Sequence, residues 1–175
     1  MDRFICFDTA LGRCALVWGE RGIVGVHLPG SGGDAATRRR IRRGHPGAHE
    51  SPPPAAIAYA VARITRLFEG EPDDLCGIAL DTAGVPEFNR RVFAVTRTIP
   101  PGETRSYGEV AERVGERGAA QAVGRALGQN PFPIVVPCHR VVAADGRLTG
   151  FSAPGGVDTK RRMLEIEGAM APALF

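Results

Sequence analysis

The chain has 175 residues and a mass of 18.6 kDa, which is enough for one domain of ordinary size or for two small ones. Hydrophobic residues make up 43% and charged residues 23%, and no apolar run approaches the roughly 18 residues of a membrane span. The net charge of +3 is too small to indicate a nucleic-acid partner by itself. Because no apolar stretch near the N-terminus is long enough for a signal peptide, we expect a cytoplasmic protein without a membrane partner.

The first half of the sequence predicts a small sheet and a helix. Three short β-rich runs separated by glycine turns within residues 4–28 are typical of an antiparallel meander. Apolar residues at helical spacing predict a helix over residues 55–69. Residues 75–80 are a candidate for one more strand.

Between the meander and this helix lies a basic segment. Residues 29–54 are rich in Pro and Gly and contain five arginines from Arg38 to Arg43. A solvated basic loop or short helix is one interpretation, and an arm that contacts phosphates is the other. The linker-like composition of residues 81–86 indicates a boundary between domains at residues 1–84 and 85–175. All of the net positive charge lies in the second domain.

The cysteines bear on the redox compartment and on metal binding. The chain contains four of them: Cys6, Cys14, Cys76 and Cys138. An even number permits disulfides, but the missing export signal and a length sufficient for a core favour reduced thiols. An alternative is a zinc site formed by two cysteines and two histidines: Cys6, Cys14, His27 and His45. That spacing fits no zinc finger or ribbon pattern.

The second half predicts short helices with brief interruptions, the first opening at Pro86-Glu87. Ser106 is a good N-cap because Glu109 follows three residues later in the capping-box pattern, and Gly115 can end that helix. A helix over residues 119–127 follows a tight, Gly-containing turn. The pair is therefore a helix-turn-helix candidate.

The second helix of this pair carries only Ala and Gly on one side, including Ala120 and Gly124. Gln121 and Arg125 lie one turn apart on the same helix. Small side chains would let the helix backbone approach a DNA duplex closely. Packing of a small-residue face against another helix explains the pattern equally well.

Residues 131–142 form the segment with the most chemical information. Two apolar runs flank three consecutive polar residues, Cys138, His139 and Arg140, and we expect the flanks to hold them in a buried, rigid setting. The cation of Arg140 can favour a thiolate, and a histidine can accept the thiol proton. Sequence neighbours need not meet in space, so a buried core cysteine beside structural polar groups is the alternative on residue types alone.

The full string is more specific than its parts. Pro-Cys-His-Arg-Val at residues 137–141 resembles the active-site signature of the O6-alkylguanine-DNA alkyltransferases, also called methylated-DNA–protein-cysteine methyltransferases. The resemblance extends from Phe88 to Gly168 and is only loose before it, chiefly in Leu11-Gly12. It includes residues 98–104, Ser106-Tyr107, Ala122-Val123-Gly124, Asn130-Pro131, Gly150-Phe151-Ser152 and Glu167-Gly168.

The resemblance implies an α+β fold with two parts, an N-terminal ribonuclease H-like α/β domain and a C-terminal helical domain with a winged helix-turn-helix. It also implies DNA repair by direct damage reversal. The partner would be double-stranded DNA containing O6-alkylguanine, bound through the minor groove with the damaged guanine rotated out of the stack. The alkyl group would pass irreversibly to a cysteine in a single turnover, without a cofactor or a metal, and the free protein would be a monomer.

The family roles fall on particular residues of this chain. Cys138 would be the nucleophile, His139 would deprotonate it through an ordered water, and Glu167 would orient that histidine. Tyr107 would donate a proton to the departing guanine, because a guanine anion is a poor leaving group. Asn130 would brace the turn before the active-site segment.

Further residues would hold the base and the DNA. The implied base pocket is lined by Arg140, Val141, Phe151 and Ser152. There the backbone carbonyl of Val141 and the backbone amide of Ser152 would hold the flipped base, while Arg140 ties the site together by hydrogen bonds. The implied DNA-binding surface comprises Ser106, Tyr107, Ala120, Gln121, Gly124 and Arg125.

The sequence departs from the family pattern in two places. Gln121 stands where the family usually has an arginine that fills the gap left by the flipped base. A glutamine lacks the charge and the stacking plane, which predicts slower or weaker flipping unless Arg125 compensates. The loop over residues 152–156 is longer than the common family form, and Phe151 replaces a frequent tyrosine, so we expect a different preference for alkyl-group size.

Two other functions remain open on the sequence. A non-catalytic protein that binds alkyl lesions and flags them for another pathway would lack the active-site cysteine, so Cys138 argues against it, whereas Gln121 keeps it open. A cysteine hydrolase using Cys138 and His139 would need an oxyanion hole and would turn over repeatedly.

Overall fold

A computed structural model describes residues 1–172, which form a mixed α+β structure. These residues contain six α-helices, a four-stranded sheet and a separate two-stranded sheet. The predicted α+β class is confirmed at this level. In residues 1–172, no helix combines the length and the apolar character that crossing a membrane requires.

The N-terminal strands form the predicted antiparallel meander. β1 (Arg3–Thr9) pairs with β2 (Gly12–Gly19), and β2 pairs with β3 (Gly22–His27). Gly22 at the second turn has a φ of +136°, and a Cβ there would lie 2.6 Å from the carbonyl oxygen of Ala79. Glycine is needed at this turn because another side chain would collide with that backbone.

The arginine-rich segment is helical, as one of its two interpretations predicted. α1 (Gly33–Gly44) contains the whole run. Arg38 donates hydrogen bonds to Asp34 at 2.6 Å and to Glu50 at 2.7 Å. Glu50 belongs to β4 (His49–Glu50), which pairs in parallel with β1 and was not predicted. The sheet order is therefore β3-β2-β1-β4.

The predicted helix over residues 55–69 is confirmed as α2 (Ala55–Phe68), which packs on β1 and β2. Its apolar face is buried through Ile57, Ala60, Ile64, Leu67 and Phe68. Spacing of three and four residues places these side chains on one side of the helix, which is why the sequence pattern identified it.

The expected strand at residues 75–80 is wrong. Only Leu80 forms a bridge, which pairs it with Ile23 of β3. The carboxylates of Asp73 and Asp74 accept hydrogen bonds from backbone N–H groups two residues later, at 2.7 and 2.8 Å. Such side-chain turns compete with strand pairing and bend the chain.

Residues 85–172 add four α-helices: α3 (Glu87–Thr96), α4 (Tyr107–Val114), α5 (Ala120–Gly128) and α6 (Gly156–Ile166). The predicted capping box of α4 is confirmed. Ser106 Oγ accepts from the Glu109 N–H at 3.1 Å, and the Glu109 carboxylate accepts from the Ser106 N–H at 2.7 Å. Gly115 ends α4 with a φ of +87°.

A two-residue parallel pairing connects the start of α4 to the segment with the Cys-His-Arg triplet. β5 (Arg105–Ser106) pairs with β6 (Val141–Val142), which directly follows Arg140. The helices α3, α4 and α5 contact one another. This pairing brings Tyr107, the first residue of α4, to the segment of Cys138.

The two halves share one apolar core, whose buried members include Leu16, Ile23, Val92 and Val136. Hydrogen bonds also join the halves. The Val26 N–H of β3 donates to the Pro131 carbonyl at 2.9 Å. Arg162 of α6 donates to the carbonyls of Ala10 and Leu11. The N-terminal half is therefore in direct contact with the chemistry-bearing segment.

Candidate active site

The Cys-His-Arg triplet forms one turn of 3-10 helix (Cys138–Arg140) between Pro137 and β6. The exposed fractions of the three residues are 8%, 0% and 1% in chain order. Val136 and Val141 on either side are fully buried, which is the setting expected from the apolar flanks. Upstream of the triplet, Ile134 has a φ of +77°. This conformation is unfavourable for a β-branched residue, so the packing around Ile134 imposes it.

Glu167, which follows α6, joins His139 and Arg140. Its buried carboxylate accepts hydrogen bonds from His139 Nε2 and from Arg140 Nε at 2.7 Å and Nη2 at 3.2 Å. Arg140 Nη1 donates to the Ile99 carbonyl at 2.7 Å. Burial acts to raise the pKa of Glu167, but the charges and hydrogen bonds of His139 and Arg140 outweigh it and lower this pKa to about 2. The carboxylate is therefore ionised at neutral pH.

His139 is arranged to accept a proton. Burial lowers the pKa of His139 although the Glu167 carboxylate opposes this, so the ring is neutral at neutral pH. Because an ionised carboxylate only accepts, Nε2 carries the hydrogen toward Glu167 and Nδ1 carries the lone pair. Among the buried side-chain N and O atoms of residues 1–172, Nδ1 of His139 alone lacks a hydrogen-bond partner.

Lys160 carries the positive charge that acts on the Cys138 thiol. Burial raises the pKa of Cys138, and the Asn130 side chain and the Lys160 cation oppose that rise. The Arg140 guanidinium, from which the sequence led us to expect this effect, is directed to Glu167 and Ile99 instead.

Lys160 of α6 is a candidate functional residue that the sequence analysis missed. Its ammonium group is fully buried and donates to the carbonyls of Val141 at 2.6 Å and Thr149 at 3.2 Å. Burial lowers the pKa of Lys160, and Cys138 opposes this shift. One signal was available, because Lys160 is the only lysine among the 22 basic residues of the chain.

Asn130 and Tyr107 reach the site from two different elements. Asn130, just after α5, donates to the Val136 carbonyl at 2.9 Å and accepts from the Phe132 N–H at 2.9 Å. Tyr107 donates its hydroxyl hydrogen to the Thr149 carbonyl at 3.2 Å. Burial raises the pKa of Tyr107, so the phenol keeps its proton at neutral pH.

The residues expected to hold the base lie on both sides of the loop after β6. The Val141 carbonyl accepts from Lys160 and retains a second lone pair. Phe151 is half-buried against the apolar core. The Ser152 hydroxyl donates to the Gly128 carbonyl at 3.0 Å, which fastens this loop to the end of α5.

The expected DNA-binding residues lie at the start of α4 and along α5. Two of them are exposed, Gln121 and Arg125, and four are half-buried: Ser106, Tyr107, Ala120 and Gly124. A Cβ at Gly124 would lie 3.9 Å from the Tyr107 ring, which is an ordinary contact. Packing between α4 and α5 therefore does not by itself require glycine at this position.

Cys138 lines a pocket of about 270 Å³ between the two halves. The C-terminal half contributes Tyr107, Asn130 and Ser152 to it, among others, and the N-terminal half contributes His27, Arg40 and His45. Nothing local in the sequence relates this second group to Cys138, so its place in the lining of the pocket was not predicted.

Within residues 1–172, no group of three or more His, Cys, Asp or Glu side chains is placed to hold a metal ion. Cys6, Cys14, His27 and His45 therefore do not form the zinc site considered as an alternative. All four cysteines are free thiols in this structure.

Comparison with known proteins agrees with the fold and the site. The family model described as 6-O-methylguanine DNA methyltransferase, DNA binding domain, matches residues 87–169. The methylated-DNA–protein-cysteine methyltransferase of Mycobacterium tuberculosis H37Rv is 48% identical over 125 residues, which cover 71% of this chain and 73% of that protein. The protein of the same name from Methanothermobacter thermautotrophicus is 37% identical over 153 residues, covering 87% of this chain and 78% of that protein.

A solved structure extends the similarity over nearly the whole chain. The crystal structure of Mycobacterium tuberculosis OGT in complex with DNA has a TM-score of 0.77 and 34% sequence identity, covering 98% of this chain and 96% of that one. Fold and site together define a cysteine-centred α+β protein. The chain belongs to the methylated-DNA–protein-cysteine methyltransferase family.

Proposed function

We propose that this protein repairs alkylated DNA by direct reversal, transferring the alkyl group from O6 of guanine irreversibly to Cys138 in a single turnover. The observation that carries the proposal is the Cys138 thiol, which lines a pocket next to the buried His139–Glu167 pair. Family membership supplies the reaction class, since the relatives are named for transfer of a methyl group from DNA to a protein cysteine.

The reaction needs a thiolate, which burial disfavours until His139 takes the proton. Neutral His139 accepts the thiol proton at Nδ1 through a bridging water. The Cys138 sulfur attacks the carbon bound to O6, so that the S–C bond forms while the C–O6 bond breaks and its electron pair stays on guanine. Tyr107 gives its hydroxyl proton to the departing base and regains one from His139. The thiol proton thus ends on guanine, and no cofactor is needed.

Glu167 and Arg140 act by positioning. The ionised carboxylate fixes the His139 ring and stabilises the imidazolium that forms when Nδ1 is protonated. Arg140 holds the carboxylate through two hydrogen bonds and is itself fixed by the Ile99 carbonyl. Asn130 braces the turn that carries the triplet.

Recognition of the flipped base involves backbone groups of Val141 and Ser152 in this proposal. Lys160 supports it by holding the carbonyls of Val141 and Thr149. Tyr107 donates to the same Thr149 carbonyl, so Lys160 also positions the proton donor. The cation therefore serves the thiol, the base pocket and the phenol at once.

The finer architecture is part of the proposal. Residues 1–84 form a ribonuclease H-like domain. The support for this assignment is the antiparallel β3-β2-β1 meander extended by the parallel strand β4. Residues 85–175 form the winged helix-turn-helix domain with the active site, supported by the α4–α5 pair and the β5–β6 pairing. The last three residues of that range, 173–175, lie outside the described residues.

DNA binds through its minor groove to the surface of α4 and α5, with α5 as the recognition helix. Exposed Gln121 and Arg125 support this assignment, since both can reach base edges or phosphates. The target guanine leaves the stack to enter the Cys138 pocket, because the reacting carbon is inaccessible inside a duplex. Neutral Gln121 makes this rotation slower than a stacking arginine would.

Gln121 also favours a second candidate, a protein that binds the lesion and flags it without transfer. The two functions differ in what happens to the DNA. Increasing amounts of a duplex with a single O6-methylguanine are mixed with a fixed amount of protein, without any cofactor, and the remaining lesion is counted. We expect one lesion lost per protein molecule, with guanine restored in an unbroken strand.

Cys138→Ser is the matched control, since it keeps a small polar side chain but removes the nucleophile. This variant should bind the duplex and leave the lesion in place. Loss of several lesions per molecule, or a broken strand, would contradict the proposal. Binding by the unaltered protein without loss of the lesion would favour the lesion-flagging function.

A further inference from the structure

The pocket that contains Cys138 extends into the N-terminal half of the molecule. Its far wall consists of residues from β3, from the segment after it, and from the region of α1: Val26, His27, Leu28, Arg40 and His45. A methyl group is about as large as a water molecule, whose share of liquid volume is roughly 30 Å³. It would fill only a small part of this pocket of about 270 Å³.

Arg40 is the cation of this far wall, and it is half-buried. Its Nη2 donates to the Leu28 carbonyl at 2.9 Å and to the Thr37 hydroxyl at 3.2 Å. In residues 1–172 no carboxylate lies within ion-pair distance of Arg40, whereas Arg38 on the same helix is paired with Asp34 and Glu50. Arg40 therefore retains N–H donors and an uncompensated positive charge at the pocket.

A glycine lets Arg40 approach the loop that follows the base-pocket residues. A Cβ at Gly30 would lie 2.6 Å from Cβ of Pro154 and 3.0 Å from Nη1 of Arg40. The missing side chain therefore allows the guanidinium and the loop to meet. Arg40, Pro154 and Cys138 all line this pocket.

Two histidines line the wall beside Arg40. His45 contacts Asp2 through Nδ1 at 3.1 Å, and its Nε2 lies over Gly25, 2.8 Å from where a Cβ would stand. The His27 ring meets the His45 ring edge to face at a centroid distance of 6.3 Å. Burial, followed by the charges of Arg40 and His45, lowers the pKa of His27 to about 4. At neutral pH His27 thus offers hydrogen bonds without charge.

We propose that this wall is a subsite for the far end of the O6 substituent, and that Arg40 makes substituents ending in a carboxylate good substrates. The inference rests on the proposed transfer to Cys138. The sulfur forms its bond to the carbon next to O6 while the bond from that carbon to O6 breaks. The rest of the substituent stays on the transferred carbon and must occupy the pocket beside the sulfur.

A carboxylate at the far end would accept charge-assisted hydrogen bonds from Arg40, which a methyl group cannot do. With a carboxymethyl substituent, the product is a carboxymethyl thioether at Cys138, and guanine takes up the thiol proton as before. The same arginine could serve an anion from another source, a phosphate of the DNA backbone. The two sources can be distinguished by comparing duplexes. Every duplex contains phosphates, but only a duplex with the carboxymethyl substituent offers Arg40 a carboxylate.

The test measures single-turnover transfer rates from three duplexes that differ only in the O6 substituent: methyl, carboxymethyl and the neutral carbamoylmethyl of nearly the same shape. Arg40→Gln should slow carboxymethyl transfer about tenfold or more, the usual loss for a hydrogen bond to a charged group. It should change the methyl rate less than about twofold, and it should slow the carbamoylmethyl rate less than the carboxymethyl rate, because the amide oxygen accepts a hydrogen bond but carries no charge. Arg40→Lys, which keeps the charge, should restore part of the carboxymethyl rate.

Arg39→Gln is the matched control, because Arg39 is an exposed arginine of the same helix, and it should leave all three rates unchanged. The methyl rate also reports whether each variant is folded. An equal loss with all three duplexes in Arg40→Gln would overturn the subsite and indicate a contact with DNA phosphate. An unchanged carboxymethyl rate would overturn it too. Absence of methyl transfer by the unaltered protein would overturn the proposed function, and the subsite with it.

Discussion

The two walls of the Cys138 pocket are built in different ways. Behind the C-terminal wall, next to Cys138 in the chain, the charged groups are buried and joined, with the Glu167 carboxylate bound to both His139 and Arg140. In the N-terminal wall Arg40 is half-buried and has no carboxylate partner among the described residues. Charged groups that are already paired are held in one arrangement, which suits a single reaction. A wall with unused N–H donors can bind substituents of different kinds.

The same contrast applies to the free energy of folding. Removing one member of a buried ion pair leaves an uncompensated charge in a low-dielectric interior. Removing a cation that has no ion-pair partner leaves no uncompensated charge behind. Changes at Glu167 should therefore affect both stability and chemistry, whereas Arg40→Gln loses only hydrogen bonds to Leu28 and Thr37 and should affect substrate choice more than stability.

Glu167→Gln should have the largest effect of the substitutions considered. It leaves Arg140 buried without its counter-charge, which typically costs about 3–5 kcal/mol in the free energy of unfolding. Urea unfolding measures this loss. Glu112→Gln is the matched control, because its partner Arg117 has a side chain 87% exposed, and surface pairs contribute about 1 kcal/mol or less. Similar losses in the two variants would contradict the account.

The pH dependence of stability checks the same residue. The folded-state pKa of Glu167 is about 2, below the ordinary value of 4.5. The carboxylate is thus more acidic in the folded state, so its contribution is present above about pH 4.5 and is lost as the pH falls toward 2. Glu167→Gln should lack this part of the acid-induced loss. If the difference in free energy of unfolding between the unaltered protein and Glu167→Gln stays constant from pH 5 to pH 2, the assignment is contradicted.

Alkylation of Cys138 should destabilise the protein. The added methyl group must fit beside the buried His139–Glu167 pair, and extra atoms in a packed site typically cost about 1–3 kcal/mol. For a chain of this size each kcal/mol lowers Tm by roughly 2–4 °C. Calorimetry of the free and the methylated protein measures the shift. A methylated protein that melts no lower than the free one would show that the pocket accommodates the product without strain.

Lys160→Met should slow transfer about tenfold, since the thiolate loses a nearby cation and the Val141 and Thr149 carbonyls lose their donor. A purely structural role would leave the thiol unaffected. The pH profile of Cys138 alkylation by a small reagent therefore serves as the diagnostic, and we expect it to move to higher pH. Arg161→Met, the adjacent cation of α6, is the control. A profile that stays in place would exclude an effect of Lys160 on the thiol.

Gln121→Arg should have the smallest effect, raising duplex affinity and transfer rate several-fold. The added cation should also make the salt dependence of binding steeper by about one unit in the log–log slope. Gln121→Lys separates charge from stacking, because lysine supplies the charge without a guanidinium plane. If Gln121→Arg changes neither rate nor affinity, this position does not limit base flipping.

Local signals account for the parts of the fold that the sequence predicted. Ser106 and Glu109 of the capping box are three positions apart, and the buried residues of α2 recur every three or four positions. Such patterns act over short distances, and tertiary contacts rarely override several of them at once. The strand expected at residues 75–80 failed for a local reason as well, since Asp73 and Asp74 form turns there.

Contacts between distant residues account for what the sequence did not provide. Lys160 donates to the carbonyls of Val141 and Thr149, which lie 19 and 11 positions before it in the chain. The strand β4 forms by pairing with β1, which is distant from it in the sequence. Arg40 enters the Cys138 pocket through the packing of the two halves. Neither periodicity nor residue type encodes these distances. The expectation that Glu167 orients His139 came from the family resemblance, and the structure brings the two side chains together.

The most direct test of the account is the identity of the residue that receives the alkyl group. The protein is allowed to react with a duplex containing one O6-methylguanine and is then digested, and the masses of its cysteine-containing peptides are measured. We expect one methyl group on the peptide with Cys138 and none on Cys6, Cys14 or Cys76. A methyl group on another cysteine, or loss of the lesion with no methyl group on the protein, would contradict it.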